Sequence, residues 1–182
     1  MVSWKGLVYP LLPSWSHSLH GKRRKGLGYR HVPRNVLECQ MEQDRLFWAL
    51  FLHPGQGGIF LEAGGDGSTG SHTLGLEREH GWEGVVHVQG ERAQARAKQV
   101  RRCRVAGAGL PLAGSHAADV LALHAPQDFP EIRQALAEKK IRPRWVIVEN
   151  REPDPQWCRR LESLGYKLKF YFHDDEYYEL RN

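Results

Sequence analysis

Cysteine is scarce in this chain. Only Cys39, Cys103 and Cys158 occur in 182 residues, far apart and without a CxxC pair. That excludes a small disulfide-stapled scaffold and a cysteine-built metal site, and it fits a reducing compartment. Long apolar runs are also missing; none approaches the roughly 20 residues needed to span a bilayer. The GxxxxGK, HExxH and GxSxG signatures are absent, so a phosphate loop, a zincin helix and a serine elbow are not the basis of any activity. The ten histidines form no close ladder with acids, and no metal site is expected. An apolar fraction of 41% and a charged fraction of 26% describe an ordinary folded domain rather than a disordered chain. The length allows one sizeable core and is short for two.

Acidic residues are absent from one region. Residues 1–37 hold seven Lys or Arg and no Asp or Glu, while the remainder is close to neutral, so the net charge of +5 belongs to the N-terminal arm. The arm, taken as residues 1–40, interleaves Trp4, Tyr9, Trp15 and Tyr29 with Lys22-Arg23-Arg24-Lys25. Its prolines at 10, 13 and 33 and its glycines oppose a long helix. Such a segment suits an RNA backbone or a groove on a larger protein assembly. A solvated tail and an import peptide are the competing readings.

The body, residues 41–182, alternates helical and strand-like segments. Residues 41–52 place Leu46, Phe47, Leu50 and Phe51 on one helical face. Strands are expected at Ile59–Ala63, Val85–Val88, Arg104–Ala106, Asp119–Leu123 and Trp145–Val148, the last of them central and buried on both faces. Between them lie a helix from Thr73 to His80, preceded by a capping Ser71 and closed by Gly81, and a polar surface helix from Glu91. Residues 107–117 read as a loop, and Phe129, Ile132 and Leu136 share a face of the next helix. A further helix has Asp154 as cap, Pro155 at its first position, Trp157, Leu161 and Leu164 inward, and Gly165 at its end. Tyr166–Phe172 and Glu176–Leu180 read as an antiparallel hairpin at the sheet edge, joined by a polar turn that includes His173-Asp174-Asp175. Alternation of this kind predicts an α/β fold with a mostly parallel sheet.

Between the first strand and its helix stands Gly64-Gly65-Asp66-Gly67. Glycines there let a backbone approach a ligand, and the following helix start presents amides; packing alone also places glycine at such turns. The loop is not read as a full GxGxxG fingerprint. Taken together, Gln43-Asp44, Phe60-Leu61-Glu62-Ala63-Gly64, Asp66-Gly67, Ser71-His72-Thr73, Leu76-Glu77 and Gly81-Trp82-Glu83-Gly84 resemble the FkbM family of methyltransferases. The segment from Asp119 through Ile132, WVIVEN from Trp145 and LESLGYKLKF continue the resemblance, which covers residues 41–180 with a shortened middle. It implies a Rossmann-like methyltransferase fold, S-adenosylmethionine as cofactor and methylation of hydroxyl groups. It also implies that Glu62, Gly64, Asp66 and Gly67 line the cofactor, with Gln89 beside the ribose.

The chain departs from that family at three places. An acid usually follows the second strand, where this chain has Val88-Gln89-Gly90; glutamine lacks a carboxylate's charge and paired acceptors. His124, Pro126 and Gln127 stand where Asp, Glu and Gly are usual, with Asp128 and Glu131 displaced from the motif. The insert that closes over substrate is shortened. The expectation is therefore a non-catalytic, methyltransferase-like structural subunit of a larger assembly, a mitochondrial ribosome or respiratory complex, in the matrix or on the matrix side of the inner membrane. No catalytic residue and no bound cofactor are expected, and His124 reads as structural. The partners would be protein subunits, with RNA reached through Lys22, Arg23, Arg24 and Lys25. The alternative is a cytoplasmic or organellar S-adenosylmethionine-dependent O-methyltransferase with Glu62, Gly64, Asp66, Gly67 and Gln89 at the cofactor and His124 as base. A third reading makes Arg101, Arg102 and Arg104, with the arm, an RNA-binding surface.

Overall fold

Short strand-forming runs rich in β-branched, leucine and aromatic residues build the sheet. The computed structural model describes residues 57–68, 71–107, 118–125, 129–149, 155–172 and 175–181. Strands β1 (Ile59–Ala63), β2 (Glu83–His87), β3 (Arg104–Ala106), β4 (Val120–His124) and β5 (Trp145–Glu149) run parallel. β6 (Tyr166–Phe172) and β7 (Asp175–Leu180) form an antiparallel hairpin, and β7 pairs antiparallel with β5. The strand order is β3-β2-β1-β4-β5-β7-β6. From β1 the chain steps outward through β2 to β3, then returns to place β4 against the other side of β1. The reversal between β1 and β4 opens the crevice where ligands of open α/β sheets bind.

Helices α1 (Leu74–His80) and α2 (Glu91–Val100) cover one face; α3 (Pro130–Ala137) and α4 (Pro155–Ser163) cover the other. The two-residue period of the strands feeds both layers. Phe60, Val86, Val120, Trp145 and Ile147 pack with Leu76 of α1 and Ala97 of α2. Leu61, Leu121, Leu123, Val146 and Val148 pack with Ile132 and Leu136 of α3 and Trp157 and Leu161 of α4. Each fully buried leucine contributes about 1.5–3 kcal/mol of transfer free energy. Every residue of β4 and β5 is buried, as a central strand covered by helices on both faces requires.

Element boundaries move by one or two residues from the sequence reading. β2 begins at Glu83 because its amide already donates to the Gly58 carbonyl, and it ends at His87 rather than Val88. β4 spans Val120–His124, so His124 is a strand residue paired with Glu149. Asp175 opens β7 and is buried, and so does not belong to a polar turn. α1 starts at Leu74 with Thr73, not the expected Ser71, as its N-cap residue and without a side-chain cap bond; Ser71 Oγ, two residues earlier, accepts the amides of Thr73 and Leu74, both at 3.1 Å. Within α2 only Ala97 is buried, in line with a surface helix. The arm with Lys22, Arg23, Arg24 and Lys25, the segment 41–52, the loop at 108–117, Pro126, Gln127, Asp128, Asp154, His173 and Asp174 lie outside the described residues. Among the described residues, no helix is long and apolar enough to cross a membrane.

Candidate functional site

At the carboxyl ends of β1, β4 and β5 the sheet carries three ionisable residues in a row, Glu62, His124 and Glu149, all buried. His124 links the other two. Its Nδ1 lies 2.6 Å from Glu149 Oε2 and its Nε2 lies 3.1 Å from Glu62 Oε1. A second imidazole, His72, stacks on it with centroids 4.8 Å apart, and His72 Nε2 is 3.7 Å from Asp175 Oδ2. Burial pulls the His124 pKa down and His72 opposes its charge, but the hydrogen bonds to Glu149 and Glu62 dominate and raise it. His124 is therefore not solitary: it bridges the carboxylates of two neighbouring strands, which favours its protonated form.

Arg101 lies on the far side of Glu62. The guanidinium has five donors, and each finds an acceptor. Nε donates to the Gly67 carbonyl at 2.7 Å; Nη1 donates to Thr73 Oγ1 at 3.1 Å and Glu77 Oε2 at 3.0 Å. Nη2 donates to Glu62 Oε2 at 3.1 Å and to Ser71 Oγ. The Ser71 and Thr73 hydroxyls also donate to Glu62 Oε2. Burial would push the Glu62 carboxyl up, yet Arg101, His124 and Thr73 hold it well below the usual carboxylate range. Glu77 extends the network by accepting the amides of Arg102 and Cys103. The reading of Arg101, Arg102 and Arg104 as one RNA-binding cluster is corrected here. Arg101 is 7% exposed and fully engaged inside, because it follows α2 directly and points back beneath the loop; only Arg102 and Arg104 face solvent.

The glycine loop rests on this network. Gly64, Gly65 and Gly67 all have left-handed backbone, with φ of 88°, 64° and 66°. A side chain on Gly64 would place its Cβ 2.4 Å from the His124 carbonyl oxygen, so only glycine allows the loop to close against β4. The Gly64 amide donates to the His87 carbonyl, which ties the loop to β2 as well. Gly65 remains exposed at the crevice, and Asp66 folds back so that Oδ1 accepts the Ser68 amide at 2.8 Å. Gln89 is exposed just beyond the end of β2.

Glu62, Gly64, Asp66, Gly67 and Gln89 therefore all lie at one end of the sheet. Glu62 does not reach the crevice surface; it holds the loop from behind. Sequence reasoning missed His72, Glu77, Arg101 and Glu149 as parts of the site, because their partners are far apart in the chain. One signal was available: counted from Gly65, the run Gly65-Asp66-Gly67-Ser68-Thr69-Gly70 spells GxGxxG, between a strand and a helix. Among the described residues, no group of three or more His, Cys, Asp or Glu is placed to hold a metal ion. A cavity of about 440 Å³, lined by Trp82, Glu83, Arg102, Cys103 and Arg104 among others, opens at the opposite, amino end of β2 and β3. It lies at the other end of the strands from the glycine loop, and Glu77, which also bonds Arg101, forms part of its wall.

No protein-family model matches the chain, and no curated protein matches it in sequence. Solved structures do match. A methyltransferase from Pyrococcus furiosus superposes with a TM-score of 0.54 at 17% identity, covering 96% of each chain. The METTL16 methyltransferase domain gives 0.57 at 12% identity, over 84% of this chain and 71% of that one. A protein of the NADB-Rossmann superfamily from Streptococcus agalactiae gives 0.54 at 12% identity, over 81% and 73%. At such identities the likeness concerns the fold. The chain has the Rossmann-like α/β fold of S-adenosylmethionine-dependent methyltransferases, with a C-terminal antiparallel hairpin.

Proposed function

We propose that the chain binds S-adenosylmethionine at the carboxyl ends of β1, β2 and β4 and transfers its methyl group to a hydroxyl acceptor. The observation that carries this reading is the buried ionic network behind an open, left-handed glycine loop at the strand reversal. Buried ion pairs contribute little net stability, because desolvation offsets their attraction, and apolar residues of similar volume serve folding at least as well. Strongly shifted ionisable groups gathered at the ligand end of a sheet are what a functional site maintains. The FkbM resemblance in the sequence supports the same direction and names the acceptor class.

The residues present fit such a cofactor. Gly64 and Gly65 give a backbone without side chains at the crevice, Gly67 packs below them against Val86, Val88 and Ala97, and Gln89 offers an amide donor and an acceptor near the end of β2. When bound, S-adenosylmethionine supplies an electrophilic methyl group on a sulfonium centre. Four buried carboxylates, Glu62, Glu77, Glu149 and Asp175, gather with Arg101, His72 and His124 around this end of the sheet. Arg101 and Glu62 hold the loop. His124 and Glu149 form the group able to receive an acceptor's hydroxyl proton, and His124 does so only as neutral imidazole. Its raised pKa places that form above pH 6.5, so transfer is expected to accelerate with rising pH.

A second reading has an observation of its own. Gln89 stands where a carboxylate would grip two hydroxyls, which favours a scaffold without catalysis, the structural subunit of a larger, mitochondrial assembly. Thermal melting separates the two. The methyltransferase reading expects a rise in melting temperature with S-adenosylmethionine or S-adenosylhomocysteine and none with ATP or NAD. No rise at millimolar ligand supports the scaffold.

A further inference from the structure

His87 ends β2 with its side chain 5% exposed, and among the described residues no group hydrogen-bonds its Nδ1. Burying a polar nitrogen without a partner costs about 1–3 kcal/mol. The folded chain tolerates that at the ligand end of the sheet. The His87 carbonyl receives the Gly64 amide at 3.1 Å, so the ring is carried by a residue bound directly to the glycine loop. Phe129, at the start of α3, meets the ring edge-on with centroids 5.5 Å apart and fixes its plane. Gln89 follows His87 two residues later, exposed just beyond the end of β2, where Rossmann-type sites place a carboxylate on the ribose.

Resting on the cofactor reading above, we propose that His87 is a ligand-binding residue of this site: its Nδ1 accepts a hydrogen bond from a hydroxyl of the adenosyl ribose. His87 and Gln89 together then replace the carboxylate that this chain lacks. The required tautomer carries its proton on Nε2, leaving the Nδ1 lone pair for the ligand.

The test uses the full chain and S-adenosylhomocysteine. In protein labelled with ¹⁵N-histidine, the His87 Nδ1 resonance is expected to shift on titration. His87→Phe, which keeps the ring volume without an acceptor, is expected to weaken binding roughly 5–10-fold, the size of one hydrogen bond. His87→Asn, whose side-chain oxygen can lie near the former Nδ1, is expected to stay within about 3-fold of the native chain. Binding by the native chain with no Nδ1 shift, or with unchanged affinity in His87→Phe, overturns the assignment of His87 while leaving the cofactor reading intact. No binding by the native chain overturns both. The resonance shift is read on the native protein, so the outcome does not depend on a variant folding.

Discussion

Arg101→Met removes every donor that Arg101 supplies while keeping an apolar stem near Phe60, whose ring centroid lies 5.9 Å from the guanidinium carbon. Glu62 and Glu77 both lose their charged partner, and the Gly67 carbonyl loses a hydrogen bond. Removing one member of a buried ion pair costs roughly 3–5 kcal/mol. Ser71, Thr73 and His124 still contact Glu62, and two amides still hold Glu77, so the lower part of that range, about 3–4 kcal/mol, applies. At roughly 2–4 °C per kcal/mol for a chain of this size, the melting temperature falls by about 6–16 °C. The loss depends on pH. In the native chain the Glu62 pKa is depressed below 4.5, so its contribution is present above pH 4.5 and fades as pH falls below it. Without Arg101, a buried Glu62 is better tolerated once protonated. Urea unfolding of both proteins should show the gap at neutral pH and its narrowing in acid. A loss under about 1 kcal/mol at neutral pH, or a gap that widens in acid, would refute the picture of Arg101 as the clamp beneath the loop.

Gly67→Ala places a Cβ 2.7 Å from Val88 and 3.1 Å from Ala97 at left-handed backbone, and a loss of about 1–3 kcal/mol in denaturant unfolding is expected. His124 has a folded pKa above 6.5, so the stability it contributes is complete below pH 6.5 and lost as pH climbs through the folded value. The stability difference between the native chain and His124→Gln should accordingly shrink between about pH 6 and pH 9 in chemical unfolding. Burial, opposed by the charge of Arg101 and aided by Glu77, pushes the Cys103 thiol up to about 12. Iodoacetamide at pH 8, followed by mass spectrometry, should label it far more slowly than a free thiol. Gln89→Glu restores a carboxylate at the end of β2 and is expected to tighten S-adenosylhomocysteine binding several-fold, read by calorimetry.

Local pattern carried most of the sheet. Ile59–Ala63, Arg104–Ala106 and Tyr166–Phe172 matched the strands residue for residue, and WVIV gave a buried central strand, because apolar runs between glycine and proline leave few alternatives. Boundaries such as Glu83 depended on a backbone bond to Gly58, 25 residues away, which no local window contains. The site divided in the same way. Gly64, Asp66, Gly67 and Gln89 are near one another in the chain or follow successive strands, so their gathering at one end of the sheet was legible from the loop and the strand pattern. Arg101 looked like one of three surface arginines, yet a single position relative to the end of α2 sends it inside while Arg102 and Arg104 point out. His124 looked solitary because Glu62 and Glu149 lie 62 and 25 residues away in sequence and meet it only across the sheet. Long-range pairing of charges is set by strand order, and strand order is a property of the whole fold.

The most direct test is isothermal titration calorimetry of the native chain with S-adenosylhomocysteine at neutral pH, with melting curves on the same samples. A glycine loop held by Arg101 and Glu62, with His87 and Gln89 at the end of β2, predicts one site per chain and a dissociation constant on the order of 10 μM. At about one hundred times that concentration, linkage adds roughly 2.7 kcal/mol of stability and raises the melting temperature by about 5–11 °C. Absence of both binding heat and any melting shift at millimolar ligand would contradict the cofactor site and leave a methyltransferase fold that serves as a scaffold.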